Sequence, residues 1–306
     1  MPSEGVLYIA VGDDFVREVV DSATQLRRTN PDVNIALVTE RPTIEDGDLP
    51  EELFDDLVPA DTVNRDLRDK AFNLHLSPYE RTVYLDGDTY VTGDISDLFS
   101  LLDEFDVALA HAPYREVLSK PDIPSSFPEF NGGVICFCDT DEVRQFLNRW
   151  VSKYKAQIER GSPDGEVVFE DCDSLEEIPN GRKHDQPPLR EALYESDLRI
   201  ATLPPEYNFR GAGGYAQSKI TVVHARHPRL NEFATALNAH LVPRVYANWK
   251  YKIFFSNGAD LRDGYPYPRL HRVIDKLRES GVLSALDRVG LLGPLRRAYN
   301  RLLGWD

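Results

Sequence analysis

The chain has 306 residues, 42% of them apolar, with a formal net charge of -16. That length can bury one large core or two small ones, and the apolar share excludes a disordered chain. The acidity excludes a nucleic-acid role, since a phosphate backbone needs a basic footprint, and no stretch approaches the ~18 uninterrupted apolar residues of a membrane span.

The start, MPSEG, lacks a basic stretch followed by an apolar core, so no signal peptide is expected. The three cysteines, Cys136, Cys138 and Cys172, give no disulfide framework. Cys136 and Cys138 fall two apart on an expected strand and cannot easily bridge there. A reducing, cytoplasmic compartment is therefore expected. Abundant acid with scarce lysine reads as a salt-adapted, halophilic surface.

GVLYIAV (5–11) is a short apolar run ending at Gly12, which reads as a buried strand and a turn. Phe15, Val16, Val19, Val20, Ala23 and Leu26 then share a helical face. VNIALVT (33–39) is a second strand, so the chain opens strand–helix–strand and favours parallel pairing. Residues 41–65 read as a loop with a short helical turn. A helix is expected over 68–76, then a strand at TVYL (82–85). Ile95, Leu98, Phe99 and Leu102 mark another helical stripe, and VALAHA (107–112) another strand.

Residues 113–130, with four prolines, read as a mobile loop. GVICFC (133–138) is a further buried strand. Asp139 or Thr140 caps the helix carrying Val143, Phe146, Leu147, Trp150, Val151 and Tyr154. An acidic loop spans 161–182. A helix follows Pro187 and Pro188, then strands at LRIATL (198–203) and ITVVHA (220–225). The expected organisation is one α/β domain over 1–245 and an extension over 246–306. Leu291, Leu295, Ala298, Tyr299 and Leu302 lie on one helical face there, with Arg296, Arg297 and Arg301 outside it. Such a basic amphipathic helix at 290–306 suits peripheral membrane contact, and equally suits packing on its own domain or a partner subunit.

Asp-x-Asp occurs four times: Asp46/Asp48, Asp86/Asp88, Asp139/Asp141 and Asp171/Asp173. So acidic a chain supplies such pairs by chance, and context has to separate them. Asp46 and Asp48 follow no apolar strand and read as a solvated turn. Asp139 and Asp141 open a helix, where capping accounts for them. Asp171 and Asp173 sit in an acidic loop. Asp86 and Asp88 end an expected central strand, and ligands of open parallel sheets bind at that end. Two carboxylates there repel unless solvated or bridged by a cation, and a hard divalent ion commonly bridges carboxylates to phosphates.

The stretch SPYERTVYLDGDTYVTGDISDLF (77–99) resembles the metal-binding region of nucleotide-sugar glycosyltransferases of the GT-A fold, most like glycosyltransferase family 8. Four later segments follow in the family's order: FNGGV (130–134), HDQ (184–186), LPPEYN (203–208) and VVH (222–224). The similarity covers roughly residues 6–228. It implies a GT-A α/β fold with a mainly parallel central sheet flanked by helices. It also implies transfer of a hexose from a nucleoside-diphosphate sugar, a UDP-sugar above all, with retention of configuration.

Asp86, Asp88 and His224 would hold Mn²⁺ or Mg²⁺, the imidazole favouring Mn²⁺. Ala10 and Asp13 would hold the base and ribose, and Lys70 would offer positive charge to the donor. Asn131, Asp185 and Gln186 would bind sugar hydroxyls at the reacting carbon. The family's histidine precedes Gly and then Lys-Pro-Trp, whereas this chain reads HARHPR (224–229). Arg226 or Arg229 would replace the missing phosphate-binding lysine. The implied acceptor is a glycan, glycolipid or protein. Rival readings are a haloacid-dehalogenase-like phosphohydrolase, with Asp86 as nucleophile, and a non-catalytic nucleotide-sugar- or carbohydrate-binding protein.

Overall fold

A computed structural model describes residues 3–46, 49–50, 52–113, 118–120, 122–160, 166–167, 184–210, 215–216, 218–224, 230–238, 244–247 and 252–255. Gly47 and Asp48, most of the 161–182 loop, Arg226, Arg229 and the 290–306 helix lie outside the described residues. The chain divides into two compact units, Met1–Arg210 with Ile220–Ala234, and Gly211–Lys219 with Thr235–Asp306.

In chain order, the first unit begins β1 (Glu4–Ile9), α1 (Asp13–Thr29), β2 (Asn34–Thr39), α2 (Arg41–Asp46) and β3 (Asp56–Pro59). Next come α3 (Arg68–Asn73), β4 (Arg81–Leu85), β5 (Thr89–Val91), α4 (Ser96–Ser100) and β6 (Val107–His111). Then follow β7 (Leu118–Ser119), β8 (Phe130–Cys138), α5 (Asp141–Arg160), β9 (Glu166–Val167), α6 (Gln186–Tyr194) and β10 (Ile200–Thr202). Among the described residues the chain continues with β11 (Phe209–Arg210), β12 (Tyr215–Ala216), β13 (Val222–His224), α7 (Leu230–Asn238), β14 (Arg244–Ala247) and β15 (Lys252–Phe255). No helix among the described residues is long and apolar enough to cross a membrane.

The main sheet has the order β10-β6-β8-β4-β1-β2-β3. β1 runs parallel to β2 and β4, β2 to β3, and β10 to β6, while β8 runs antiparallel to both β4 and β6. The expected α/β architecture with a mainly parallel sheet is therefore present, with one strand reversed. β1 alternates its side chains between two cores, as period two demands. Val6, Tyr8 and Ala10 meet Val19, Ala23 and Leu26 of α1, and Leu98 and Phe99 of α4. Leu7 and Ile9 face the opposite core, with Ala71 of α3, Val143, Phe146 and Trp150 of α5, and Leu189 and Leu193 of α6. Helices thus cover both faces, the arrangement a buried parallel sheet requires.

Two further sheets matter to the site or to the second unit. β13 pairs parallel with β11 and antiparallel with β5. In the second unit, β14 pairs antiparallel with β12 and β15.

Several expectations need correction. Residues 41–65 contain the helix α2 and the edge strand β3, which periodicity missed because DLVP (56–59) is only half apolar and half-buried. β5 also went unread; three residues are too few to show a period. Of the expected strand ITVVHA, Val222–His224 form β13, which belongs to a small separate sheet. The described part of 113–130 is anchored rather than loose. The buried Arg190 donates to the carbonyls of Phe127 (2.7 Å) and Pro124 (3.2 Å), and Ile123 and Glu129 are buried. The expected cap of α5 is present: of its two candidates, Thr140 accepts from the Val143 amide (3.3 Å), while Asp139 pairs with Arg144.

α6 is tied to α5 by charge. Glu191 pairs with Lys153 of α5 (2.9 Å) and with Lys120. Burial pushes the Glu191 carboxyl up, but Lys120 and Lys153 outweigh it and hold it below its ordinary 4.5. A depressed carboxylate stabilises the fold above its unfolded pKa, and that contribution is lost as pH falls through 4.5 and below. Thermal unfolding followed from about pH 6 to about pH 3.5 should show a smaller acid-dependent fall for Glu191→Gln than for the unsubstituted chain. Equal falls would count against this pair.

Candidate metal and sugar-donor site

The site lies at the C-terminal edge of the parallel strands, where open α/β sheets bind ligands. β4 ends at Leu85, and the next residue, Asp86, donates its backbone N–H to the Gly133 carbonyl (2.9 Å). Because β8 is reversed, its beginning reaches the edge where β4 ends, with Leu85 opposite Val134. That places Asn131, Gly132 and Gly133 beside Asp86. The Thr89 amide (3.1 Å) and hydroxyl (2.8 Å) both donate to the Asp86 carbonyl.

A hydroxyl chain fixes this turn from below. Since Thr89 donates to a carbonyl, Ser22 must donate to Thr89 (2.9 Å), and Tyr8 to Ser22 (3.0 Å).

β5 then carries the chain into its pairing with β13, where Thr89 sits opposite His224. This register delivers the imidazole to the two acids. His224 Nε2 lies 3.1 Å from Asp88 Oδ1 and 3.5 Å from Asp86 Oδ2. One ligand atom from each of the three residues falls within 4.8 Å of the others. Oxygen and nitrogen ligands about 2.1 Å from one hard ion lie about 3–4 Å apart, so this donor set suits such an ion.

Gly133 makes room for the histidine. A Cβ there would lie 1.9 Å from His224 Cε1 and 2.1 Å from Nδ1. Gly133→Ala should therefore cost about 1–3 kcal/mol through overpacking and displace the imidazole. Chemical unfolding together with Mn²⁺ titration tests this; unchanged stability and unchanged Mn²⁺ affinity would contradict the close approach.

Lys70 lies largely out of solvent on the other side of Asp86. Its ammonium lies 2.8 Å from Asp185 Oδ2, 3.4 Å from Asp86 Oδ2 and 3.2 Å from the Gly132 carbonyl. The Asp185 approach is a charge contact whose angles fall short of an aligned hydrogen bond. Burial pushes the Lys70 ammonium down, but Asp185 and Asp86 outweigh it and raise it above its ordinary range. Burial likewise pushes Asp185 up, and Lys70 outweighs it and holds the carboxyl low. Both groups stay charged.

Asp185 stands at the start of α6. Its carbonyl accepts from the Trp150 indole of α5 (3.2 Å), while the neighbouring His184 carbonyl accepts from Gln157 (2.9 Å). Gln186 follows, and its Oε1 accepts from Asn131 Nδ2 (2.9 Å).

The structure thus brings together Lys70, Asp86, Asp88, Asn131, Asp185, Gln186 and His224. Ala10 and Asp13 follow the end of β1, which pairs with β4 on the side away from β8. Ala10 is buried, with its amide donating to the Val38 carbonyl (3.0 Å). Asp13 is exposed at the start of α1, after Gly12, whose φ of 99° suits glycine.

Two further residues, Tyr84 and Asn208, reach this cluster. Tyr84 donates to Asp86 Oδ1 (2.5 Å), and burial followed by the Asp86 charge raises its phenol well above the ordinary value. No local pattern marks a strand tyrosine for such a contact. Asn208, buried at 4% exposure, lies between His224 and Asn131; its signal was the LPPEYN segment.

No protein-family model matches the chain, and no curated protein matches it. Solved structures similar to it include glycosyltransferases. GlyE of Streptococcus pneumoniae TIGR4 is 21% identical with a TM-score of 0.44. The match covers 68% of this chain and 47% of GlyE, so this chain spans about half of GlyE's length. The galactosyltransferase LgtC, solved with donor and acceptor sugar analogs, is 10% identical over 73% of this chain and 87% of that one, with a TM-score of 0.45. Mouse xyloside xylosyltransferase 1 is 12% identical over 73% and 98%, with a TM-score of 0.46.

Proposed function

We propose that the chain is a metal-dependent glycosyltransferase. It moves a hexose from a nucleoside-diphosphate sugar, specifically a UDP-hexose, to a glycan, glycolipid or protein acceptor, with retention. The observation that carries this reading is the meeting of Asp86, Asp88 and His224 at the ligand-binding edge of the sheet. These residues would hold Mn²⁺, which the imidazole favours over Mg²⁺. When bound, the ion neutralises charge on the departing nucleoside diphosphate.

Lys70 adds fixed positive charge in a dry setting, where it acts most strongly. Asn131, Asp185 and Gln186 bind sugar hydroxyls. Asp185 accepts from the sugar, its carboxylate held ionised by Lys70. Front-face transfer, in which the leaving phosphate takes the acceptor's proton, needs no covalent nucleophile. Ala10 and Asp13 hold the base and ribose, and Arg226 supplies a further phosphate contact. The transferase domain extends to residue 245. The remaining 246–306 segment brings the protein to a membrane surface through 290–306, in a reducing and salt-rich cytoplasm.

Incubation of the full chain with Mn²⁺ and a panel of UDP-sugars should release free UDP. EDTA should stop the release and added Mn²⁺ restore it. Release of inorganic phosphate instead would favour the phosphohydrolase, and binding with no release would favour the carbohydrate-binding protein.

A further inference from the structure

We infer that Asn208 is a positioning residue that fixes the tautomer of His224 and joins it to the sugar-binding amides. This rests on the metal-site reading above, and it follows from one backbone group. The Gly133 N–H donates to the Asn131 side chain at 3.0 Å, so the Asn131 atom there must be Oδ1. The Asn208 atom 2.9 Å from that oxygen must then be a donor, Nδ2. The other end of the Asn208 amide is therefore Oδ1. It lies 2.9 Å from His224 Nδ1, so Nδ1 must carry a proton.

With Nδ1 protonated, neutral His224 has its lone pair on Nε2, the nitrogen facing Asp86 and Asp88. A metal ligand needs that form, and partners of this kind fix it. The same orientation leaves Asn131 Nδ2 to donate to Gln186 Oε1 (2.9 Å). One directional chain, Gln186–Asn131–Asn208–His224, thus runs from the sugar contacts to the ion. Its inner members are nearly sealed from solvent: Asn131, Asn208 and His224 are 7%, 4% and 3% exposed. Buried amides in a satisfied network are held in one orientation.

Two substitutions separate the two arms. Asn208→Ala removes both. Asn208→Asp keeps an acceptor for Nδ1–H but faces Asn131 Oδ1 with a second oxygen, losing the donor.

The first measurement is a long-range ¹H–¹⁵N histidine spectrum of the metal-free full chain, which reads directly whether His224 Nδ1 carries a proton. His224 is expected as the Nδ1–H tautomer in the unsubstituted protein and in Asn208→Asp. In Asn208→Ala it should shift towards the Nε2–H form. The second is Mn²⁺ titration without sugar. Affinity should fall about 10–100-fold in Asn208→Ala and stay within about threefold in Asn208→Asp. The third is donor KM, which should rise in Asn208→Asp although its Mn²⁺ affinity is kept; a merely structural role would not produce that split.

An Nε2–H tautomer in the unsubstituted protein, or Mn²⁺ affinity unchanged in Asn208→Ala, would overturn the assignment. If Asn208→Ala does not fold, the unsubstituted spectrum and Asn208→Asp still decide it. The first two measurements need no sugar transfer. A correct tautomer and the expected Mn²⁺ pattern without UDP release would sink the transferase reading and leave Asn208's role standing.

Discussion

Replacing Asp88 with asparagine is expected to lower Mn²⁺-dependent UDP release by about 10²–10³-fold, the range seen when one preorganised electrostatic stabiliser is removed. Asp88 Oδ1 lies 3.1 Å from His224 Nε2, and its side chain is 17% exposed. The amide keeps the shape and loses the charge that draws in a cation. Folding should survive, because two neighbouring carboxylates repel in the metal-free protein and removing one relieves that repulsion. Mn²⁺ affinity, UDP release and thermal unfolding should be measured on one preparation. Loss of transfer with preserved melting is the expected pattern. Undiminished transfer would remove Asp88 from the chemistry.

Lys70→Met should destabilise the fold by about 3–5 kcal/mol, the usual effect of breaking a buried ion pair from one side. The Lys70 and Asp185 side chains are 11% and 12% exposed, so water screens neither well. Methionine leaves Asp185 buried without its counter-charge and leaves Asp86 without a neighbour 3.4 Å away. Adding Asp185→Asn to Lys70→Met should recover part of the loss, since a neutral amide needs no counter-ion there. Urea unfolding of the two single variants and the double variant gives the coupling between them. Additive losses, or a Lys70→Met cost below about 1 kcal/mol, would show that the pair contributes little.

Both predictions rest on residues that were visible in the sequence for different reasons. Asp86 and Asp88 stood out because an apolar strand precedes them, and that strand is β4, the middle member of the main sheet. Asp139 and Asp141 also follow a buried strand, β8, but that strand is reversed, so they leave the sheet at the opposite edge and lead into α5. Lys70, Asn131, Asp185, Gln186 and His224 came from ordered motifs rather than from any local pattern. Tyr84 could not have been found so. A tyrosine in an apolar strand reads as core, and its hydroxyl's partner depends on how the chain turns after Leu85.

Residue pattern alone is enough to locate the elements that bury one face or two: β1, β2, β4, β6 and β8, and the stripes of α1 and α5. Periodic burial leaves a periodic trace, and each of these elements is long enough or apolar enough to show one. Tertiary structure alone decided the rest. Reversal of β8 brings Asn131 and Gly133 to the edge where β4 ends. The short β5–β13 ladder sets His224 opposite Thr89, beside Asp88. Gly133 opens the space the imidazole fills. These depend on backbone register between segments remote in the chain. Register is set by pairing and packing across the fold, and a local run of residues carries no record of it.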